Sequence, residues 1–149
     1  MRYIAVIPSR MESKRLPGKP LKKIGNKSMI QRVYEQSVKC ERFEKVIVAT
    51  NNDEIKKHVE SVGEVVLTSS NPINGTERVS EALNKINISY DYVVNIQGDE
   101  PFIKKNQIDA LLDICNGEDQ ICSLVKKTPY SQELKKNSII KVEIGRAHV

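Results

Sequence analysis

Two short stretches carry side chains whose types and spacing could do phosphate chemistry. "RMESKRLPGKPL", residues 10–21, holds Arg10, Lys14, Arg15 and Lys19 around Pro17, Gly18 and Pro20, and "QGDEP", residues 97–101, holds Gln97, Asp99 and Glu100. Arg10, Arg15 and Lys19 together could neutralise a triphosphate, the arginines through a planar fork that matches phosphate oxygens and the lysine as a compact charge. Gly18 allows the backbone to come close, while Pro17 and Pro20 lower the entropy of a loop that must hold its cations in place. A carboxylate facing such a ligand, Asp99, would hold Mg²⁺ through one or two oxygens and share it with the phosphates. An acidic pair in a turn is more often simply solvated; the expected nearness of the basic loop is what raises this one. The amides of Asn95 and Gln97 could read a base or ribose, or serve the turn itself. In "NGTERVSEAL" Gly75 permits a tight approach and Thr76 is a candidate N-cap, while Glu77 and Arg78 read as the exposed first turn of a helix.

Other chemistries are unsupported. Neither GxxxxGK[ST] nor GxGxxG occurs, so a P-loop kinase site and the usual dinucleotide fingerprint are absent. The two histidines are His58, read as helix surface, and His148 near the end, so no nucleophile triad is suggested. None is needed if a hydroxyl attacks an α-phosphate with pyrophosphate leaving, because that reaction asks for positioning and charge stabilisation.

Residues 10–27 carry a local charge of +6, which exceeds the net +5 of the 149-residue chain. A compact basic cluster beside a strand end suits a polyphosphate better than a duplex, and this segment has no aromatic residue on which single strands could stack, so no nucleic-acid partner is expected. Lys22, Lys23 and Lys27 read as solvated surface. Cys40, Cys115 and Cys122 form no CxxC and read as ordinary reduced thiols. With 39% hydrophobic and 29% charged residues, and apolar runs far shorter than a membrane span, the composition is that of a globular protein expected in the cytoplasm with no membrane partner.

These residues need a frame, and the apolar pattern supplies one. Strands are expected at residues 3–7, 45–50, 64–67, 90–96 and 120–127. Helices are expected at 28–40, with Ser28 as N-cap, at 52–62, ended by Gly63 in the usual C-terminal position, at 76–86, and at 106–116. Helix and strand alternate, which predicts an α/β fold with a mostly parallel, doubly wound, Rossmann-like sheet. In strand order 3-2-1-4 the first and fourth strands are neighbours, and their carboxyl ends flank the switch point where open α/β sheets bind ligands. The basic and acidic loops would then face each other across one crevice.

"IPSRMESKRLPGKPL", "NGTERVSEAL" and "VVNIQGDEP" occur in the order and spacing of the 3-deoxy-manno-octulosonate (KDO) cytidylyltransferases, which residues 1–142 resemble. The resemblance implies a nucleotidyltransferase fold and transfer of cytidylyl from CTP to the sugar acid KDO with Mg²⁺, on the way to lipopolysaccharide or capsule, in a homodimer. It matches Arg10, Arg15 and Lys19 to triphosphate-binding residues and Pro8, Ser9, Gly75 and Thr76 to segments bordering the nucleotide. Gln97 matches an amide that helps recognise it, and Asp99 the magnesium-binding aspartate; Arg10, Lys19 and Asp99 are the implied catalytic set. Ser9 and Asn74 stand where alanine and serine are commoner. The sialic acid cytidylyltransferases are the nearest alternative, which "RLPGKP" with "GTER" disfavours, and a non-catalytic CTP-binding module is the other.

The family continues beyond this length with a sugar-acid pocket, a second metal-binding aspartate and much of the dimer contact. Here the sequence ends "EIGRAHV", residues 143–149, which departs from the family pattern and equals the translation of a sequencing-adapter stretch. The expectation is a nucleotide-binding portion, residues 1–142, with a non-native tail, inactive alone. Codons at 143–149 that differ from the adapter's would overturn the reading of the tail.

Overall fold

The computed structural model describes residues 1–12 and 16–125. Its centre is strand β1 (Tyr3–Ser9), in which all seven residues are buried. Three further parallel strands, β4 (Phe43–Thr50), β5 (Glu64–Leu67) and β6 (Tyr92–Asn95), complete a sheet in the order β5-β4-β1-β6. Counted along the main sheet this is the expected 3-2-1-4. A small hairpin, β2 (Lys23–Ile24) with β3 (Lys27–Ser28), turns at Gly25 with φ +67°. Four helices connect the strands: α1 (Met29–Ser37), α2 (Asp53–Glu60), α3 (Gly75–Lys85) and α4 (Lys105–Asp113).

The sheet buries both faces, as its uninterrupted apolar strands require. Tyr3, Ala5 and Ile7 pack with Ile30, Val33, Val48, Ile55, Val59, Ile108 and Leu112, whereas Val6 turns the other way to meet Ala49 and the α3 residues Val79 and Ala82. Each fully buried Ile or Val contributes about 1.5–3 kcal/mol. Among the described residues no helix is long and apolar enough to cross a membrane.

Several boundaries differ from the sequence expectation. β1 runs on through Pro8 and Ser9, which pair with Ala49 and Thr50. Ser28 does cap α1, its hydroxyl accepting from Gln31 N–H at 3.2 Å, but the helix stops at Ser37 rather than 40. His58 leaves the surface role expected of it, its Nε2 lying 2.7 Å from the Ser28 hydroxyl, so it ties α2 to the start of α1. The N-cap of α3 is Asn74 and not Thr76: Asn74 Oδ1 accepts from Glu77 N–H at 2.9 Å while Glu77 Oε2 accepts from Ile73 N–H at 3.0 Å. α4 covers Lys105–Asp113, shorter than 106–116 at its far end. Residues 120–125 form no strand; β6 pairs only with β1 among the described residues, and Ile121, Leu124 and Val125 are exposed. Residues 126–127 of that expected strand, and the tail at 143–149, lie outside the described residues.

Gly63 follows α2 as expected but not in a left-handed conformation. It is required by contact: a Cβ there would sit 2.0 Å from Cζ of Tyr34, the ring that spans from α1 to the start of β5 and accepts from Glu64 N–H at 3.3 Å. Gly63→Ala is therefore expected to lower stability by about 1–3 kcal/mol, the usual cost of overpacking. In a Tyr34→Ala background that increment should vanish, as urea denaturation of the four proteins would show.

A second tie fixes the segment between β5 and α3. Glu81 accepts from Ser69 N–H at 2.6 Å and from the Ser69 hydroxyl at 2.8 Å, and pairs with Lys85 at 2.8 Å. Lys85 first, then the Ser69 donors, pull the Glu81 carboxyl down to about 2 from its usual 4.5. A carboxyl lowered in the folded state contributes its stability above the unfolded value, and loses it as pH falls through the folded one. Glu81→Gln should thus destabilise at pH 7, with the difference from wild type shrinking between about pH 4.5 and 2. Denaturant titrations at several pH values measure this.

Candidate active-site cleft

β6 pairs with β1 only from Tyr3 to Val6, whereas β4 follows β1 to Ser9. The last three residues of β1 therefore stand beside a gap. Ile96 N–H donates to the Val6 carbonyl at 3.1 Å, and backbone direction alternates along a strand, so the Pro8 carbonyl also points past the end of β6. Gly98 fills that place, where a Cβ would come within 2.8 Å of the Pro8 oxygen. Pro8 lacks an N–H, and beyond the end of β6 no ladder partner requires one.

The gap opens into a cavity of about 780 Å³ lined by the first loop, the start of α3 and the loop after β6. Of the residues expected from sequence, Pro8, Ser9, Arg10, Lys19, Gly75, Gln97 and Asp99 line it; Thr76 does not, and Arg15 lies outside the described residues. The basic and acidic loops do meet, with Lys19 Nζ 2.6 Å from Asp99 Oδ2. Lys19 is placed by a single 3-10 turn, Lys19–Leu21, whose entry is the left-handed Gly18 (φ 68°) and whose Pro20 is buried. Gly18 N–H closes the loop by donating to Met11 O at 3.2 Å.

On the opposite wall Gly75 brings α3 close to β1: a Cβ there would lie 3.2 Å from Pro8 Cγ. Gln97 Nε2 donates to Asn95 Oδ1 at 3.1 Å, so both amides join in one local contact while Gln97 still faces the cleft. Ser9 is 5% exposed, and its hydroxyl is buried with no hydrogen-bond partner among the described residues.

Of the two residues read as the exposed first turn of α3, Glu77 is exposed and Arg78 is not. Arg78 is 4% exposed, lines the cleft, and donates from Nη1 to the Thr68 hydroxyl and to the Ser69 carbonyl, the latter at 3.2 Å. Burial pulls its guanidinium below the usual arginine value, Glu81 and Glu12 oppose this, and Arg10 adds to the depression. Its spacing carried a signal: Arg78 lies four residues before Ala82 and next to Val79, both buried, so it sits on the inward face. Glu12, Pro72, Asn74 and Gly98 also line the cavity without having been expected there.

The residues present fit a magnesium–polyphosphate ligand. Mg²⁺ in such sites is held by one or two carboxylates and completed by phosphate oxygens and water, so an all-protein cage is not required. Among the described residues no group of three or more His, Cys, Asp or Glu could form one. Asp99 is paired with Lys19 and lines the same cleft as Arg10, so carboxylate and cations are available together to a shared ligand.

Comparison with known proteins agrees with this geometry. Residues 4–147 match the family model described as cytidylyltransferase. The 3-deoxy-manno-octulosonate cytidylyltransferase of Parabacteroides distasonis is 47% identical over 128 residues, which are 85% of this chain and 50% of that protein. That of Cytophaga hutchinsonii is 42% identical over 125 residues, 83% of this chain and 50% of that one. The chain thus spans about half the length of the curated relatives it matches. A solved CMP-2-keto-3-deoxy-manno-octonic acid synthetase in complex with CTP superposes with a TM-score of 0.74 at 35% identity, covering 79% of this chain and 48% of that one. With the parallel sheet, the switch-point cleft and these matches together, the chain belongs to the cytidylyltransferase family.

Proposed function

We propose that the cleft binds CTP with Mg²⁺, and that the full-length protein transfers the cytidylyl group to KDO, giving CMP-KDO and pyrophosphate for lipopolysaccharide or capsule. The observation that carries the reading is the meeting of Lys19 and Asp99, with Arg10 beside them, at the switch point of a cytidylyltransferase sheet. The identity of the relatives supports KDO as the acceptor over a sialic acid.

In this reading Arg10, Arg15 and Lys19 hold the triphosphate, and Arg78 adds a fourth cation from the α3 wall. Pro8, Ser9, Gly75, Thr76 and Gln97 border the nucleoside. The unpartnered Ser9 hydroxyl supports a polar ligand contact there, since a buried donor left alone costs about 1–3 kcal/mol. Asp99 would hold the magnesium, which supplies charge neutralisation at the phosphates. The acceptor hydroxyl oxygen bonds to the α-phosphorus and gives up its proton to solvent as the α–β bridging P–O bond breaks, and pyrophosphate leaves with that electron pair. The chain's residues contribute orientation and fixed positive charge, with no covalent intermediate.

The Lys19–Asp99 pair must part when nucleotide and metal enter. Asp99 is half exposed, and a pair this open is worth about 0–1 kcal/mol, so parting it costs little. Mg²⁺ alone, which meets a carboxylate already neutralised, is expected to leave the melting temperature of the chain unchanged. CTP with Mg²⁺ should raise stability by about 2.7 kcal/mol at a hundredfold excess over Kd. Arg10→Ala and Lys19→Ala should each weaken CTP binding about tenfold to a hundredfold, a charge-assisted hydrogen bond's worth, while Lys22→Ala leaves it unchanged. Isothermal titration calorimetry reads all three.

The full-length protein should release pyrophosphate from CTP only with both KDO and Mg²⁺ present, and the 149-residue chain should bind without turnover. Release with N-acetylneuraminate in place of KDO would move the acceptor to the sialic acids.

A further inference from the structure

Ser69 is gripped from both sides by α3. Its N–H and hydroxyl are taken by the two oxygens of Glu81, at 2.6 and 2.8 Å, and its carbonyl accepts from Arg78 Nη1 at 3.2 Å. Arg78 and Glu81 lie three apart on α3, so both reach the same residue from one side of the helix. Thr68, itself buried, offers its hydroxyl to the same Arg78 nitrogen. Glu81 is in turn held by Lys85. The chain Lys85–Glu81–Ser69–Arg78 therefore starts in solvent and ends on a guanidinium that lines the cleft.

We propose that Glu81, which does not itself line the cleft, is a positioning residue for nucleotide binding, acting through Ser69 on Arg78. This rests on the nucleotide reading above. The physical reason is preorganisation: a free arginine side chain carries about 2 kcal/mol of rotamer entropy, and a cation already fixed does not lose it when the ligand arrives. The two bonds to Glu81 hold the N–H and the hydroxyl of Ser69 and so fix the position of the residue whose carbonyl Arg78 uses. The Arg78 side chain makes no other hydrogen bond among the described residues, so its remaining guanidinium donors are free for a ligand.

The test is a double-mutant cycle on the chain, read by CTP affinity with Mg²⁺ and by the Arg78 Nε–Hε NMR correlation without nucleotide. Glu81→Ala is expected to weaken CTP roughly tenfold and to broaden or shift the Arg78 signal. Glu81→Gln, which keeps an acceptor for Ser69 N–H, should recover most of the affinity. In an Arg78→Ala background Glu81→Ala should have under a twofold effect, because the residue through which it acts is gone. Should Glu81→Ala not fold, Ser69→Ala removes one of the two bonds and is expected to weaken CTP about twofold to threefold with the same signal change. Equal affinity of the wild type and Glu81→Ala, or of Ser69→Ala where that stands in, overturns the inference, as does additivity of the two effects. A wild-type chain that takes no CTP overturns the nucleotide reading itself, and this inference with it.

Discussion

The stagger between β4 and β6 along β1 is the constraint on which the cleft depends. β1 is paired on both sides for Tyr3–Val6 and on one side only for its last three residues. Had β6 continued in register, Pro8 would have needed an N–H it lacks and the space now taken by Gly98 would hold a ladder partner. Ending β6 at Asn95 turns the chain into "QGDEP" one step below the top of β1, and the step between the two strands becomes the floor of the cavity. The prolines and glycines of this region act together: Pro8 against Gly75 and Gly98 lets two loops close on one strand end.

The charges around that floor are held to different degrees. Arg10 is exposed at the end of β1, Lys19 is tied to Asp99 at a 3-10 turn anchored by buried Pro20, and Arg78 is almost wholly buried in a hydrogen-bonded socket. Of the three, one cation is exposed, one is paired with a carboxylate and one is already fixed. Burial pulls the guanidinium of the fixed one below the usual arginine value, and the carboxylates Glu81 and Glu12 partly offset this.

Much of this was legible in the sequence. The strand order follows from helix–strand alternation, and the order alone brings residues eighty apart, Lys19 and Asp99, to one place. What escaped was set by contacts that a one-dimensional pattern does not carry. Gly63 was read as a left-handed helix stop, yet it is needed for the Tyr34 ring. Thr76 is a candidate cap by residue type, whereas the cap is formed two residues earlier, where Asn74 Oδ1 takes Glu77 N–H. Arg78 was placed on the surface because arginine usually is, and its burial depends on the Thr68–Ser69 segment arriving beside it. Residues 120–125 have strand-like apolar content without a strand, since a strand is defined by a partner and β6 offers them no pairing among the described residues.

The capping of α3 closes part of its N-terminus, where the helix meets the cleft. A helix N-terminus facing a phosphate normally offers its first free N–H groups and the positive end of its dipole. Here Glu77 N–H is taken by Asn74 Oδ1 and the carboxylate of Glu77 folds back over the entry to hold Ile73 N–H, which leaves the N–H groups of Gly75 and Thr76 as the uncapped donors of the first turn. That carboxylate already answers the helix dipole, so less positive potential is left for a ligand. What the backbone gives up must come from fixed cations, and the first loop concentrates them: its prolines and its one left-handed glycine set where Lys19 stands, while α3 contributes Arg78 from inside the wall.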